Sequence, residues 1–158
     1  MSETSFDLLS KAVRRWQTAG ERIVLCHGCF DPLHVGHLLH FKAARKFGDR
    51  LIVTVTPDRF VNKGPERPFF SEKLRLEMIE ALKIVDGAAI NLWDSAVNTI
   101  RHLRPNCFAK GADYLNNAKC NTNFFLEKEE MEKNGGEISF TDEKSFSSTK
   151  IIEWMKNS

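Results

Sequence analysis

The sequence predicts a doubly wound α/β fold, Rossmann-like, with a five-stranded parallel sheet and helices on both faces. Three observations predict it. Short apolar runs rich in β-branched residues recur along the chain, segments of helical period separate them, and the 158 residues suit one compact domain, residues 1–158. Strand and helix alternating at this pitch mean βαβ units, whose right-handed crossovers bring every strand's carboxyl end to one edge.

The elements follow in order. A helix from about Phe6 to Thr18 precedes the first apolar run, Ile23–Cys26. Leu38, Phe41, Ala44 and Arg45 carry the next helix, stopped at Phe47-Gly48-Asp49, before the second run, Leu51–Val55. Ser71 is a plausible N-cap for the helix bearing Leu74, Met78, Ile79, Leu82 and Val85. After the third run, Ala88–Leu92, a helix opens at Asp94-Ser95, carries Val97, Ile100 and Leu103, and closes at Arg104-Pro105. Cys107–Ala109 is the fourth run, and the helix with Phe124, Phe125, Lys128 and Met131 stops at Asn134-Gly-Gly. Glu137–Phe140 is the fifth, and Ser147-Ser-Thr149 opens a last helix with Ile151, Ile152 and Met155. Residues 63–68 form an irregular loop, and the stretch from Asp113 to Thr122 reads as another.

Composition excludes several functions. Lys plus Arg is 23 against 21 for Asp plus Glu, a net charge of +2, so no whole-molecule field draws nucleic acid or an acidic membrane. No apolar run approaches the roughly 18 residues that a membrane helix needs. The polar start, Met1-Ser-Glu-Thr-Ser-Phe, does not resemble a secretion signal. A soluble, cytoplasmic protein is expected, with Cys26, Cys29, Cys107 and Cys120 as reduced thiols.

Chemistry concentrates in Cys26-His-Gly-Cys-Phe-Asp-Pro-Leu-His-Val-Gly-His37, where the first strand gives way to a helix. Such a turn aims backbone N–H groups and the positive end of a helix dipole into the ligand crevice. Gly28 lets the chain turn, and Gly36 removes a side chain where a phosphate must come close. His34 and His37, three apart, share one side of the first helical turn and can donate hydrogen bonds to a phosphoryl group gaining charge. Asp31 either holds the turn by accepting N–H bonds or touches a metal.

Two other readings compete. Cys26, Cys29, His34 and His37 are zinc-ligand types, but fingers leave about twelve residues between their ligand pairs. A redox C-x-x-C sits at a helix N-terminus with its second cysteine inside the helix, whereas Asp31-Pro32 intervenes here. No protein metal ligand is assigned. His27, His40 and His102 read as ordinary surface or core histidines.

Gly-x-Phe-Asp-Pro together with His34-x-Gly-His37 resembles the HxGH signature of the nucleotidyltransferase superfamily. The resemblance implies that both histidines bind triphosphate phosphates and stabilise the transition state, with Gly28, Cys29, Phe30 and Gly36 along the nucleotide. Lys63 lies where that family carries a lysine over the triphosphate or the acceptor phosphate, with Arg67 nearby. Arg75-x-x-Met-Ile79 resembles its arginine helix facing the acceptor phosphate; by itself the segment is an amphipathic helix with Arg75 solvated. Lys110-Gly-Ala-Asp-Tyr114 resembles its K-G-x-D-Y string, implying nucleotide contacts by Lys110, Gly111 and Asp113. Ser147, Ser148 and Thr149 match the motif that receives the β- and γ-phosphates at a helix start.

Lys110-Gly-x-Asp-Tyr, Asn134-Gly-Gly-Glu-Ile and a short Thr141-to-Phe146 link are most similar to the heptose-1-phosphate adenylyltransferase-type domain. Asp142 stands where glycerol-3-phosphate cytidylyltransferases carry an arginine, which favours ATP. The resemblance implies transfer of a nucleoside monophosphate to a sugar or polyol phosphate with release of pyrophosphate. Mg²⁺ accompanies the triphosphate, and a homodimer and a sugar kinase, fused or separate, are further expectations. A CTP-dependent cytidylyltransferase and a nucleotide-binding module without turnover are the alternatives.

Overall fold

The computed structural model describes residues 2–114, 122–142 and 147–158. Cys120, most of the second expected loop and the link before Ser147 therefore lie outside the described residues. Five strands, β1 (Ile23–Gly28), β2 (Arg50–Val55), β3 (Gly87–Ile90), β4 (Cys107–Gly111) and β5 (Glu137–Thr141), pair in the order β3-β2-β1-β4-β5. Every pairing is parallel, with Val24 beside Leu51 on one side of β1 and beside Cys107 on the other. Six α-helices are described: α1 (Ser5–Thr18), α2 (Val35–Ala44), α3 (Glu72–Glu80), α4 (Val97–Leu103), α5 (Thr122–Lys133) and α6 (Ser148–Lys156). None is long and apolar enough to cross a membrane.

Strand alternation divides the core in two. Ile23, Leu25, Ile52 and Phe108 face a cluster filled by Phe6, Leu9 and Val13 of α1, Ile100 of α4 and Met131 of α5. Val24, Cys26, Leu51, Val53 and Ala109 face the other, filled by Phe41 of α2 and Leu76 and Ile79 of α3. Burying each large side chain stabilises by roughly 1.5–3 kcal/mol, so the two clusters fix which face each helix covers.

Local signals place the ends. Thr4 and Asp7 form a capping box at α1, and Ser71 Oγ accepts the Leu74 N–H at α3 as expected. Two expectations fail. Residues 82–85 were expected to continue α3, but the helix ends at Glu80, because Leu82, Ile84 and Val85 pack on the second cluster from a turn. Asp94 and Ser95 do not cap α4. Its N-cap is Ala96, without a side-chain bond, and the Ser95 carbonyl accepts from buried Asn91 instead.

The order of strands reverses at β1, between β2 and β4, which opens a crevice at the carboxyl ends of β1 and β4.

Candidate active site

A cleft of about 310 Å³ occupies that crevice. Gly28 ends β1 and Gly111 ends β4, and both line it, with Cys29, Phe30, His34, Gly36, His37, Lys63 and Asp113. Nine expected residues from three separate segments thus share one cavity. His27, His40, Ala112 and Tyr114 line it as well and were not expected there. A usable signal existed for His40, which stands three residues after His37 and six after His34, one face of one helix.

His34 is itself the N-cap of α2, in extended conformation (φ −143°, ψ 175°). The Gly36 N–H donates to His34 Nδ1 at 3.0 Å, and the His34 N–H donates to His37 Nδ1 at 3.2 Å. Imidazoles replace the hydroxyl and carboxylate of an ordinary capping box. With each Nδ1 lone pair committed, a neutral ring carries its proton on Nε2. The rings stack with centroids 3.8 Å apart, inclined by 26°. Burial pushes both pKa values below the ordinary range, His37 to about 3, and the Lys63 ammonium adds to the shift in each. Both are therefore neutral donors near pH 7, able to hydrogen-bond an anion without contributing charge of their own.

Phe30 supports them from below. Its buried ring meets His37 edge-on at 5.1 Å and Phe41 at 5.2 Å. The left-handed residue of the turn is Phe30 (φ 53°), not Gly28. Gly28 is needed for a different reason: a Cβ there would meet the Phe30 ring at 3.0 Å. His27, at the strand end, keeps Nδ1 2.9 Å from Thr54 Oγ1, and burial, then Lys110, lowers its pKa to about 4.

Three expected basic contacts are spent inside the protein. Arg75 is wholly buried, neither solvated nor free for a phosphate. Its guanidinium donates to Phe70 O (2.9 Å), Cys29 O (2.7 Å) and Thr56 O (2.8 Å), and pairs with Asp58 at 2.7 Å. It fastens the residue after Gly28 to the loop beyond β2 and the start of α3. Lys110 is 7% exposed, 2.6 Å from the Glu127 carboxylate, with its Nζ 4.6 Å from the Phe108 ring centroid and 4.2 Å from that of Tyr114. The reason is parity, since Lys110 shares a strand face with Phe108 and hence points toward α5. Arg67 pairs with Asp31 at 3.1 Å.

Asp31 takes the first of its two expected roles. Its buried carboxylate accepts from Phe69 N (2.6 Å), Phe70 N (2.9 Å) and Arg67 Nε. Burial raises its pKa, but these bonds outweigh that and leave it below the usual range. Committed in this way, it is not a metal ligand. Asp113 is the carboxylate among the described residues lining the cleft.

Ser147 caps α6, its Oγ accepting the Lys150 N–H at 3.4 Å. Neither Ser147 nor exposed Thr149 is among the described residues lining the cleft, and the Ser148 side chain lies outside the description. Among the described residues Cys26, Cys29 and Cys107 form no disulfide, and Cys26 Sγ lies 3.5 Å from His40 Nε2.

A parallel sheet with a cleft of about 310 Å³ at its switch point, bordered by a helix start bearing two neutral imidazoles, defines an α/β nucleotide-handling enzyme. The model of the cytidylyltransferase-like family matches residues 25–154, and the chain belongs to that family of nucleotidyltransferases. It is 38% identical over 154 residues to the bifunctional protein HldE of Geotalea uraniireducens, covering 94% of this chain and 30% of that one. HldE of Koribacter versatilis is 37% identical over 148 residues (92% and 29%), and that of Methylobacillus flagellatus 42% over 112 (70% and 23%). The chain thus spans less than a third of the length of these relatives. The crystal structure of a lipopolysaccharide core biosynthesis protein from Thermoplasma volcanium superposes with a TM-score of 0.64 at 26% identity, covering 81% of this chain and all of that one. The expected superfamily, fold and enzyme class are borne out.

Proposed function

We propose that residues 1–158 act as one domain transferring AMP from ATP to the phosphate of a sugar, of the heptose 1-phosphate class. An acceptor phosphate oxygen attacks the α-phosphorus in line, the bond to the β-phosphate breaks, and pyrophosphate leaves. The nucleophile is already an anion, so no general base is required, and positioning with electrostatic stabilisation supplies the acceleration. Mg²⁺ bound with the triphosphate supplies charge neutralisation.

One observation carries the reading: His34 and His37 spend Nδ1 on backbone N–H groups, which leaves Nε2–H as the donor of each ring in the cleft. Uncharged donors suit an α-phosphate oxygen, already anionic, whose charge grows further in the transition state, and Lys63 provides the cation. Gly28 and Gly111 let nucleotide approach the two strand ends, and Asp113 accepts from ribose or base. Ser147, Ser148 and Thr149 receive the leaving phosphates, a role that their place at a helix start supports. Asp142 in place of the cytidylyltransferase arginine favours ATP over CTP. The likeness to the Thermoplasma lipopolysaccharide core biosynthesis protein supports a sugar acceptor. A sugar kinase, in the same polypeptide or apart, supplies that acceptor in the cytoplasm, where triphosphates are made. A homodimer belongs to the same reading.

The test is pyrophosphate release from ATP and CTP against a panel of sugar and polyol phosphates. Release with ATP and a sugar 1-phosphate is expected. Faster turnover with CTP overturns the base preference, and binding without pyrophosphate from any pair points to a sensor.

A further inference from the structure

We propose that Asp31 and Arg67 form a latch that positions Lys63 over the cleft, so that Arg67 is a positioning residue and not a phosphate ligand. The inference rests on the reading of Lys63 as a phosphate-contacting group.

Asp31 stands three residues before His34, and its side chain is fully buried. Its Oδ2 accepts from Phe69 N and Arg67 Nε, its Oδ1 from Phe70 N, and its carbonyl from the second guanidinium nitrogen of Arg67. Every one of these bonds comes from residues 67–70, the exit of the loop that carries Lys63. The Phe70 carbonyl is held in turn by Arg75 Nε. The loop's exit is therefore locked to the turn that presents His34, although β2 and the loop's entrance lie between them in sequence.

Lys63 needs such support. It is exposed, with a long flexible stem, yet it lines the cleft. It shares the cavity lining with His34, His37 and Cys29; burial first and then its ammonium lower the pKa values of the two histidines, and that ammonium opposes the burial that raises that of Cys29. Between Lys63 and Arg67 the backbone adopts left-handed conformations at Gly64 (φ 98°) and Glu66 (φ 63°). Glycine adopts the first freely, but a residue with a Cβ holds the second only where its surroundings over-determine it. The four bonds to Asp31 begin at the next residue. Arg67 is 15% exposed and both its bonded nitrogens face Asp31, so its fork is occupied.

The chemical consequence is that loss of Arg67 acts through Lys63. Lys63→Ala, Arg67→Gln and the double variant are compared for kcat at saturating substrates, with a thermal melt of each. Lys63→Ala lowers kcat about 100-fold, as loss of one transition-state donor does. Arg67→Gln lowers it at least about tenfold, and the double variant stays within about threefold of Lys63→Ala, the signature of two residues acting as a unit. Effects that multiply overturn the latch while leaving Lys63 in its role. A Lys63→Ala enzyme with unchanged kcat overturns the reading of Lys63 itself. Glu66→Gly, which relieves the left-handed residue without touching Arg67, provides a second arm: with the Asp31 bonds holding the loop exit, kcat stays within about twofold of the parent. A loss of about tenfold or more, as large as that of Arg67→Gln, overturns the latch by showing that the turn at residue 66 and not the Asp31–Arg67 contact sets the position of Lys63.

Discussion

The two walls of the cleft handle their polar side chains in opposite ways. On the β1–α2 wall, His37 Nδ1 accepts the His34 N–H and His34 Nδ1 accepts the Gly36 N–H, which leaves the Nε2 of each ring uncommitted to the backbone. On the β4 wall, Lys110 turns from the cleft into a cage of Phe108, Tyr114 and Glu127, leaving Gly111, Ala112, Asp113 and Tyr114 to line it. Each wall carries a family string, and in each the polar residue nearest the strand end draws the eye. Facing decides what that residue does. The helix start presents two side chains on one face, whereas the strand sends alternate residues to opposite faces.

That contrast is most severely tested at Arg75, the buried cation behind the histidine wall. Arg75→Ala leaves the carbonyls of Phe70, Cys29 and Thr56 without their donor and should cost about 3 kcal/mol of stability, with little from Asp58, whose side chain is 40% exposed. Urea unfolding measures it. An unchanged midpoint with a raised acceptor KM would restore the phosphate role. His37→Ala comes next. It should lower kcat about 100-fold or more, equivalent to about 2.7 kcal/mol, while the melt changes by no more than a lost cap, about 1 kcal/mol. Near-normal turnover in steady-state kinetics would dissolve the difference between the walls.

On the opposite wall, Lys110→Met should cost about 2 kcal/mol, because it strips the partner from buried Glu127, and shift the ATP KM less than about threefold. A tenfold KM rise with an unchanged melt would show Lys110 reaching the nucleotide. Acid sharpens the comparison across both walls. His27 and His37 titrate at about 4 and about 3 in the folded protein, below the ordinary value of about 6.5 in the unfolded chain. The unfolded state therefore binds more protons between those values, so their contribution is complete above pH 6.5 and declines as pH falls toward 3. Urea midpoints should fall across that window, and His37→Asn should flatten the slope. Least of all, Ser147→Ala should remove only the α6 cap, about 1 kcal/mol at most, while raising the ATP KM. A KM that stays put in competition binding leaves Ser147 as a cap alone.

Much of this was legible from residue order. The five strands, Ser71 as a cap and the HxGH turn all rest on interactions within a few residues, and periodicity reports those directly. His40 had a local signal, its spacing from His34 and His37 on one helix face, that went unread, whereas nothing local marks Tyr114 as a cleft residue. Leu82 and Val85 kept helical spacing yet left α3, because packing on the second core cluster outweighed propensity.

The sequence by itself determined the alternating βαβ order, the edge at which a ligand binds and the pair of imidazoles that face it. Those properties depend on apolar period, crossover handedness and a three-residue spacing, all of which are one-dimensional. Only the tertiary structure decided where the cations go. Arg75, Arg67 and Lys110 look alike in sequence to Lys63, but each finds carboxylates or carbonyls contributed by distant segments: Asp58 and Cys29, Asp31, and Glu127. A buried charge is stable only when such partners surround it, and which partners meet it is a property of the folded chain.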